Sequence, residues 1–309
     1  MTPEVSVIIP AYNRCAMLLE AIASVLAQSA PAFELIVIDD GSTDGTAEHL
    51  ARLAETIRIK IERIEHRGPA AARNRGVALA RAPLIAFLDS DDLWSPTKLE
   101  RQLAFMRDNP GCAISQTNEI WIRNGRRVNP GHRHLKRAGD IFVDSLRTCL
   151  IGMSSVMIRT DLFRSSGGFD EQMAAAEDYD LWLRILIDHE AGLLDEPLVT
   201  RRGGRPDQLS ATTPALDRFR ILALAKLLAD DRLSPARRTS VVEVLAEKCR
   251  IYAGGLVRRG RIDEARLYES VAAQARGWDT CAAPEIGCAV ESMRSMLRVD
   301  AIHASRNCT

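Results

Sequence analysis

The chain has 309 residues, 46% of them hydrophobic and 27% charged, which is ordinary for a globular protein and long enough for one large domain plus a smaller appendage. Its 41 basic and 41 acidic side chains cancel, and the pI is near 7.0, which argues against a dedicated nucleic-acid binder. Seven cysteines (Cys15, Cys112, Cys149, Cys249, Cys281, Cys288, Cys308) form no CxxC pair, against a zinc ribbon or a thioredoxin-type site, and no apolar run reaches the length of a membrane span.

Val5 to Ile9 is a short, largely β-branched run ended by Pro10 and reads as a buried strand. Residues 15–28 carry Leu18, Leu19, Ile22, Val25 and Leu26 at helical spacing. Phe33 to Ile38 predicts a second strand, stopped by Asp39-Asp40-Gly41-Ser42, with Thr43 or Asp44 able to cap a helix over 45–54. Alternating Ile57, Ile59 and Ile61 predict a third strand over 57–64. The Ala-rich stretch 69–80 predicts a helix, and Leu84 to Leu88 a fourth strand running straight into Asp89. A further amphipathic helix is expected over 97–108. Beyond Pro110, strands are expected around 112–122 and 154–158, a basic polar loop over 123–140, and a helix over 177–187 with Trp182 and Leu183 inward.

From about residue 215 the pattern is wholly helical, with helices expected at 215–229, 235–258 and 262–276. The second carries Val241, Leu245, Cys249, Tyr252 and Leu256 as an apolar stripe. Residues 200–276 hold 16 Lys/Arg against 9 Asp/Glu, an excess of 7 positive charges that the neutral total conceals. The last 30 residues have weak periodicity. The expected division is a catalytic α/β domain over 1–213 and a helical extension over 214–309.

The β-α-β-α-β-α-β order predicts a mostly parallel sheet flanked by helices. Ligands of such sheets bind beyond the carboxyl ends of the strands. The polar clusters sit there: Asn13 and Arg14 after the first strand, Asp39 and Asp40 after the second, Asp89 to Asp92 after the fourth. Each cluster alone has a plainer reading. Asp-Asp-Gly-Ser is a common turn, Asp-Ser-Asp-Asp a helix cap before Pro96, and Glu177-Asp178 a pair of first-turn carboxylates. Their recurrence at successive strand ends favours a site.

Five segments in order, Val5 to Arg14, Glu34 to Asp44, Ala72-Arg73-Asn74-Arg75-Gly76, Phe87-Leu88-Asp89-Ser90-Asp91-Asp92 and Glu177 to Arg184, resemble family 2 glycosyltransferases of the Rossmann-like GT-A fold. The resemblance covers roughly residues 4–210. It implies an inverting transferase moving a sugar from a nucleoside-diphosphate donor, UDP or dTDP, to a hydroxyl of a glycan, a lipid-linked glycan or a small molecule. It implies that Asp39 contacts the base, that Asp89 and Asp91 form the DxD motif at ribose and metal, and that Asp178 is the catalytic base. Pro10, Tyr12, Asn13, Arg73, Asn74 and Ser90 are expected beside the nucleotide. A late loop from Arg201 to Ser210 resembles one that closes over the diphosphate. Relatives often carry histidine near Arg205, so Arg201, Arg202 or Arg205, with Glu177 nearby, are candidates for the diphosphate or acceptor side.

The chemistry suits these residue types. A departing diphosphate gathers negative charge, and Mg²⁺ or Mn²⁺ held by carboxylates neutralises it. Asp91 is the first choice of ligand and Asp89 the second, while Asp92 orients the turn. A carboxylate at Asp178 can take the acceptor's proton and is kept ionised by the helix N-terminus. His132 and His134 lack nearby acidic partners and do not read as a metal site. Two rival readings are a sugar nucleotidyltransferase, disfavoured because Pro10 to Arg14 contains no glycine, and a catalytically silent nucleotide-sugar-binding adaptor. The expected location is cytoplasmic, with peripheral contact at the inner membrane face left open.

Overall fold

The computed structural model describes residues 2–30, 32–206, 208, 213, 215–278 and 284–306. The chain divides into two units. One runs to Ile141 and resumes at Thr148 as far as the loop after residue 203; the other combines Phe142–Arg147 with the helices from Asp217 onward.

In the first unit, β1 (Val5–Ala11), β2 (Phe33–Asp39), β3 (Lys60–Arg63) and β4 (Leu84–Phe87) pair in parallel in the order β3-β2-β1-β4. Every residue of β1 is buried, as a central strand covered on both faces requires. Val5, Val7 and Ile9 pack with α1 (Cys15–Leu26) and α4 (Lys98–Asp108), and Leu50 of α2 (Thr46–Thr56) joins the same cluster. On the opposite face lies α3 (Pro69–Leu79). A Cβ on its Gly76 would stand 2.4 Å from Ile8 Cγ2, so glycine is what lets this helix approach the sheet. Phe87, Phe163, Phe169 and Trp182 form an aromatic layer, with the Phe169 and Trp182 centroids 6.1 Å apart. Trp182 is therefore core, as its helical spacing predicts.

The sheet continues from β4 through β8 (Met157–Arg159), β6 (Ile114–Arg123) and β9 (Ala191–Gly203) to β5 (Leu93–Trp94), and β7 (Arg126–Val128) forms a hairpin with β6. The long β6–β9 pairing is parallel, while β4–β8, β6–β8, β6–β7 and β5–β9 are short antiparallel ones, so the sheet is mostly parallel. Helices α6 (Thr160–Ser165) and α7 (Glu177–Leu186) complete the unit.

Two details differ from the expected elements. The third strand is only four residues long. Ile57 ends α2 and its carbonyl accepts from Ile59 N–H, leaving Lys60–Arg63 to register on Ile36–Asp39. Pro10 does not end β1. Pairing with β4 stops at Ile8↔Phe87, so proline falls where that ladder has no donor to lose, while Ala11 continues toward β2 by accepting from Asp40 N–H at 2.8 Å.

The second unit contains α5 (Phe142–Ser145), α8 (Asp217–Leu227), α9 (Pro235–Arg258), α10 (Ile262–Gln274) and α11 (Pro284–Arg306). Ser234 caps α9 by accepting from Arg237 N–H at 3.3 Å, with Pro235 at its first position. The stripe Val241, Leu245, Cys249, Tyr252 and Leu256 is buried. Tyr252 meets Tyr268 of α10 edge-on at 4.6 Å. Among the described residues, no helix is long and apolar enough to cross a membrane.

Candidate active site

The ends of β1 and β2 are tied together. Asn13, in the left-handed region at φ 48°, donates its N–H to Ser42 Oγ at 3.0 Å and accepts from Thr43 N–H at 2.7 Å. Beside them the exposed Tyr12 ring stacks on His66 at 3.9 Å with a 15° interplanar angle. The two aspartates after β2 have separate duties. Asp40 accepts from Arg67 N–H at 2.8 Å, Gly68 N–H at 2.9 Å and His66 Nδ1 at 2.8 Å, and so shapes the turn into α3. Asp39 Oδ1 accepts from Ser42 N–H at 3.0 Å, but its Oδ2 is buried with no hydrogen-bond partner among the described residues; Arg63 Nε stands 3.5 Å away. A buried carboxylate oxygen left without a donor is a place for a ligand's N–H.

The turn after β4 carries Asp89, Ser90, Asp91 and Asp92. It is closed by Asp92 N–H donating to the Asp89 carbonyl at 3.0 Å. Ser154, on a 3-10 turn at Met153–Ser155, accepts from Asp89 N–H at 3.1 Å and donates to Asp92 Oδ2 at 2.6 Å. Arg202 N–H takes Asp92 Oδ1 at 2.9 Å. Both oxygens of Asp92 are thus engaged, and burial, with Asp91 and Asp89 close by, pushes its pKa up to about 8. Asp92 orients the turn. Carboxylate oxygens of Asp89, Asp91 and Asp92 lie within 4.8 Å of one another, an oxygen-only donor set that fits a hard divalent cation. Given the engagements of Asp92, the donors with oxygen to offer are Asp89 and Asp91.

Arg73 links this turn to α7. Its guanidinium is buried and donates to Asp89 Oδ1 at 2.7 Å and to Glu177 Oε1 at 2.6 Å. Burial pulls the Arg73 pKa down, but the two carboxylates outweigh it and raise it above the usual value. Burial raises the pKa of Glu177, opposed by Arg73 and assisted by Asp178. Asp178 follows in the first turn of α7. Its Oδ1 accepts from its neighbour's amide, Tyr179 N–H, at 2.7 Å, and its Oδ2 lies 3.7 Å from Cys149 Sγ.

The late arginines reach the same place in different ways. Arg205 Nη2 donates to Asp91 Oδ2 at 2.6 Å, an oxygen that also accepts from Arg14 Nη1 at 2.8 Å. Arg202 donates from Nε to the Asp91 carbonyl at 2.5 Å and pairs with Glu20. Arg201 lies over the Trp121 ring, 5.1 Å from its centroid. Although it stays exposed to solvent, the carboxylates of Glu119, Asp92, Asp89 and Asp178 overcome the local desolvation and raise its pKa. Beneath it, Glu119 accepts from Trp121 Nε1 at 2.9 Å and pairs with buried Lys136 at 3.0 Å. Asp207, Leu209 and Ser210 of the expected loop lie outside the described residues.

Asp39, Asp89, Ser90, Asp91, Arg73, Glu177, Asp178, Arg201, Arg202 and Arg205 therefore surround the carboxyl ends of β1, β2 and β4 or connect to them through the contacts above. Asn74 does not point its amide at this rim. Its Oδ1 accepts from Phe169 N–H at 3.0 Å and its Nδ2 donates to the Phe169 carbonyl at 2.9 Å and Glu171 Oε1 at 3.0 Å, binding α3 to the loop before α7. Ser154 and the Glu119–Lys136 pair had no local signal in the sequence. Arg14 did lie in the first motif, but nothing there assigned it to Asp91.

Comparisons with known proteins bear on the family and the fold. An uncharacterized glycosyltransferase of Rickettsia conorii is 41% identical over 196 residues, which are 63% of this chain and 32% of that protein. The chain spans about a third of the length of the first curated relatives it matches. The UDP-Glc:alpha-D-GlcNAc-diphosphoundecaprenol beta-1,3-glucosyltransferase WfgD of Escherichia coli is 34% identical over 62% of this chain and 73% of its own. The crystal structure of S. aureus TarS 1-349 in complex with UDP superposes with a TM-score of 0.63 at 20% identity, covering 97% of this chain and 92% of that one, a likeness of fold. The model of the family described as glycosyl transferase family 2 matches residues 6–164, more than half of the chain. With a GT-A sheet, the acidic turn after β4 and the Glu177-Asp178 pair brought to that turn by Arg73, the chain belongs to glycosyl transferase family 2.

Proposed function

We propose that the chain transfers a sugar from a UDP- or dTDP-sugar to a hydroxyl of a glycan or lipid-linked glycan, inverting the anomeric centre. The observation that carries this reading is the double ion pair of Arg73, which holds the Asp89–Asp92 turn and the Glu177-Asp178 pair against each other. The turn then suits a diphosphate and the Glu177-Asp178 pair an incoming nucleophile. The Escherichia coli relative, named for a UDP-glucose donor and a diphosphoundecaprenol-linked acceptor, supports the substrate classes.

In this reading Asp39 Oδ2, which accepts no hydrogen bond among the described residues, accepts the ring N–H of uracil or thymine, and Tyr12 and Asn13 wall the nucleoside. Asp89 and Asp91 hold a divalent cation, which supplies charge neutralisation to the diphosphate when bound. Arg201, over the Trp121 ring near the end of β9, faces the same charge. Asp178 keeps one oxygen on its neighbour's amide and offers the other to the acceptor hydroxyl, whose proton it takes as the new bond forms. With no enzyme nucleophile in between, displacement is direct and inverts.

A thermal-shift panel of nucleoside diphosphates with Mn²⁺ tests donor binding, since a ligand of the native state raises apparent stability by mass action. UDP or dTDP should raise the melting temperature. Asp178→Asn should keep that shift while release of nucleoside diphosphate falls by roughly 10²–10⁴-fold, the usual range for a general base. Pyrophosphate release in place of UDP release would instead identify a nucleotidyltransferase.

A further inference from the structure

The acidic turn already contains its own counter-cations. Asp91 Oδ2 receives two guanidinium groups, from Arg14 at 2.8 Å and from Arg205 at 2.6 Å, and Asp89 Oδ1 receives a third from Arg73 at 2.7 Å. These are charge-assisted bonds at short distances. A divalent cation approaching Asp91 meets an oxygen that is doubly occupied and two positive charges beside it. The three arginines differ in how firmly they are held. Arg73 is buried between two carboxylates on α3. Arg14 stands at the N-cap of α1, immediately beyond β1. Arg205 comes from the chain after β9, follows Gly203 and Gly204, and its side chain is 24% exposed. Of the two on Asp91, with side chains 20% and 24% exposed, Arg14 leads directly into α1, whereas Arg205 stands beyond the end of its strand, next to two glycines.

We infer that Arg205 is an internal counter-ion which a divalent cation must displace from Asp91 Oδ2, and that the displaced guanidinium then pairs with the donor's diphosphate. The inference rests on the reading of Asp89 and Asp91 as a cation site. Arg205 is thus a positioning residue with two alternating anionic partners, the carboxylate without ligand and the diphosphate with it. Metal and nucleotide binding are coupled through it. The cation releases the arginine for the diphosphate, and the diphosphate keeps it off the cation's ligand. Linkage makes this coupling reciprocal.

The test is binding, not turnover. Mn²⁺ is titrated into the full chain by electron paramagnetic resonance of the free ion and by calorimetry, with and without saturating UDP, for the wild type, Arg205→Gln and Arg205→Lys. Arg205→Gln should bind Mn²⁺ alone about tenfold more tightly than the wild type. UDP should tighten Mn²⁺ binding to the wild type and do so at least about fivefold less in this variant, a change within the usual range of site-to-site coupling. Arg205→Lys keeps the charge and should stay near the wild type on both measures. Equal Mn²⁺ affinity in the wild type and Arg205→Gln would overturn the competition while leaving the cation site standing. Loss of Mn²⁺ affinity in Arg205→Gln would overturn it too. Absence of Mn²⁺ binding to all three proteins, with or without UDP, would overturn the cation site itself and the inference with it.

Discussion

Replacing Arg73 with methionine probes the joint on which the site depends. Methionine keeps much of the side-chain volume, so the loss is chiefly of charge and hydrogen bonds. The two partners differ in exposure. The Glu177 side chain is 6% exposed and loses its cation with little solvent to replace it; that of Asp89 is 34% exposed and regains water. Removing one member of a buried pair costs about 3–5 kcal/mol, whereas an exposed pair is worth at most about 1 kcal/mol. The Glu177 half should therefore dominate, and Arg73→Met should lose about 3–5 kcal/mol at pH 7 in urea denaturation. The pH dependence has a definite sign. Burial already raises the Glu177 pKa in the native state, and removing Arg73 raises it further. Between the unfolded value of about 4.3 and the raised native value, the folded state binds more protons, so the variant's stability falls as pH rises through that window. The penalty should be smallest near pH 4 and largest above neutrality. Arg73→Met/Glu177→Gln should recover at least about half of the loss, because no buried charge is left unpaired. A loss below about 1 kcal/mol, or a double variant no more stable than Arg73→Met, would refute the claim that this pair is a buried electrostatic joint.

Other consequences are equally measurable. Asp39→Asn should keep the bond from Ser42 N–H on its oxygen and present an amide N–H₂ to the base. Affinity for UDP should fall by about tenfold or more and preference should move toward CDP, whose ring nitrogen is an acceptor; unchanged UDP and CDP affinities in calorimetry would remove Asp39 from the base. Lys98 is fully buried, its Nζ makes no hydrogen bond among the described residues, and burial pulls its pKa well down, although Nζ stands 3.8 Å over the Trp94 ring. Between the lowered native pKa and about 10.4 the unfolded state then binds more protons than the folded one. Wild-type stability should rise with pH toward that value, and Lys98→Met should abolish the rise and gain about 1–3 kcal/mol at pH 7. A flat wild-type profile from pH 6 to 10 would mean that the indole holds the ammonium charged. Gly76→Ala gains up to about 1 kcal/mol of helix propensity but sets a methyl 2.4 Å from Ile8 Cγ2. Overpacking of about 1–3 kcal/mol should win, and a melting temperature at or above the wild type would contradict the close approach of α3 to β1.

Much of the first unit was legible because its signals are local. A β-branched run such as Val5 to Ile9, or leucines repeating along α1, expresses burial within a single element, and the order of elements then implies a parallel sheet with its polar clusters at one edge. The long helix Pro235–Arg258 was equally plain, from its apolar stripe. Strand β9 was not. Its residues Ala191–Gly203 include Pro197 and several charges, and it is a strand because β6 offers a partner, with register shifts around Asn118. Pairing partners are a property of the fold, and alternation along one segment does not carry them.

The same division holds in the site. Amino-acid sequence alone determined which chemistry was on offer: carboxylates after β2 and β4, a Glu-Asp pair opening α7, and arginines at and beyond the end of β9, recognisable because this chemistry is written in neighbouring residues. Tertiary structure decided how those groups divide the work. Arg73 meets Glu177 across 104 residues of chain, Arg205 meets Asp91 across 114, and Ser154 meets Asp92 across 62. Asn74, beside Arg73 in the same motif, is turned toward the loop before α7 instead. Adjacent positions on a helix point about 100° apart, so whether a side chain serves the site or the scaffold depends on what the rest of the chain packs against it.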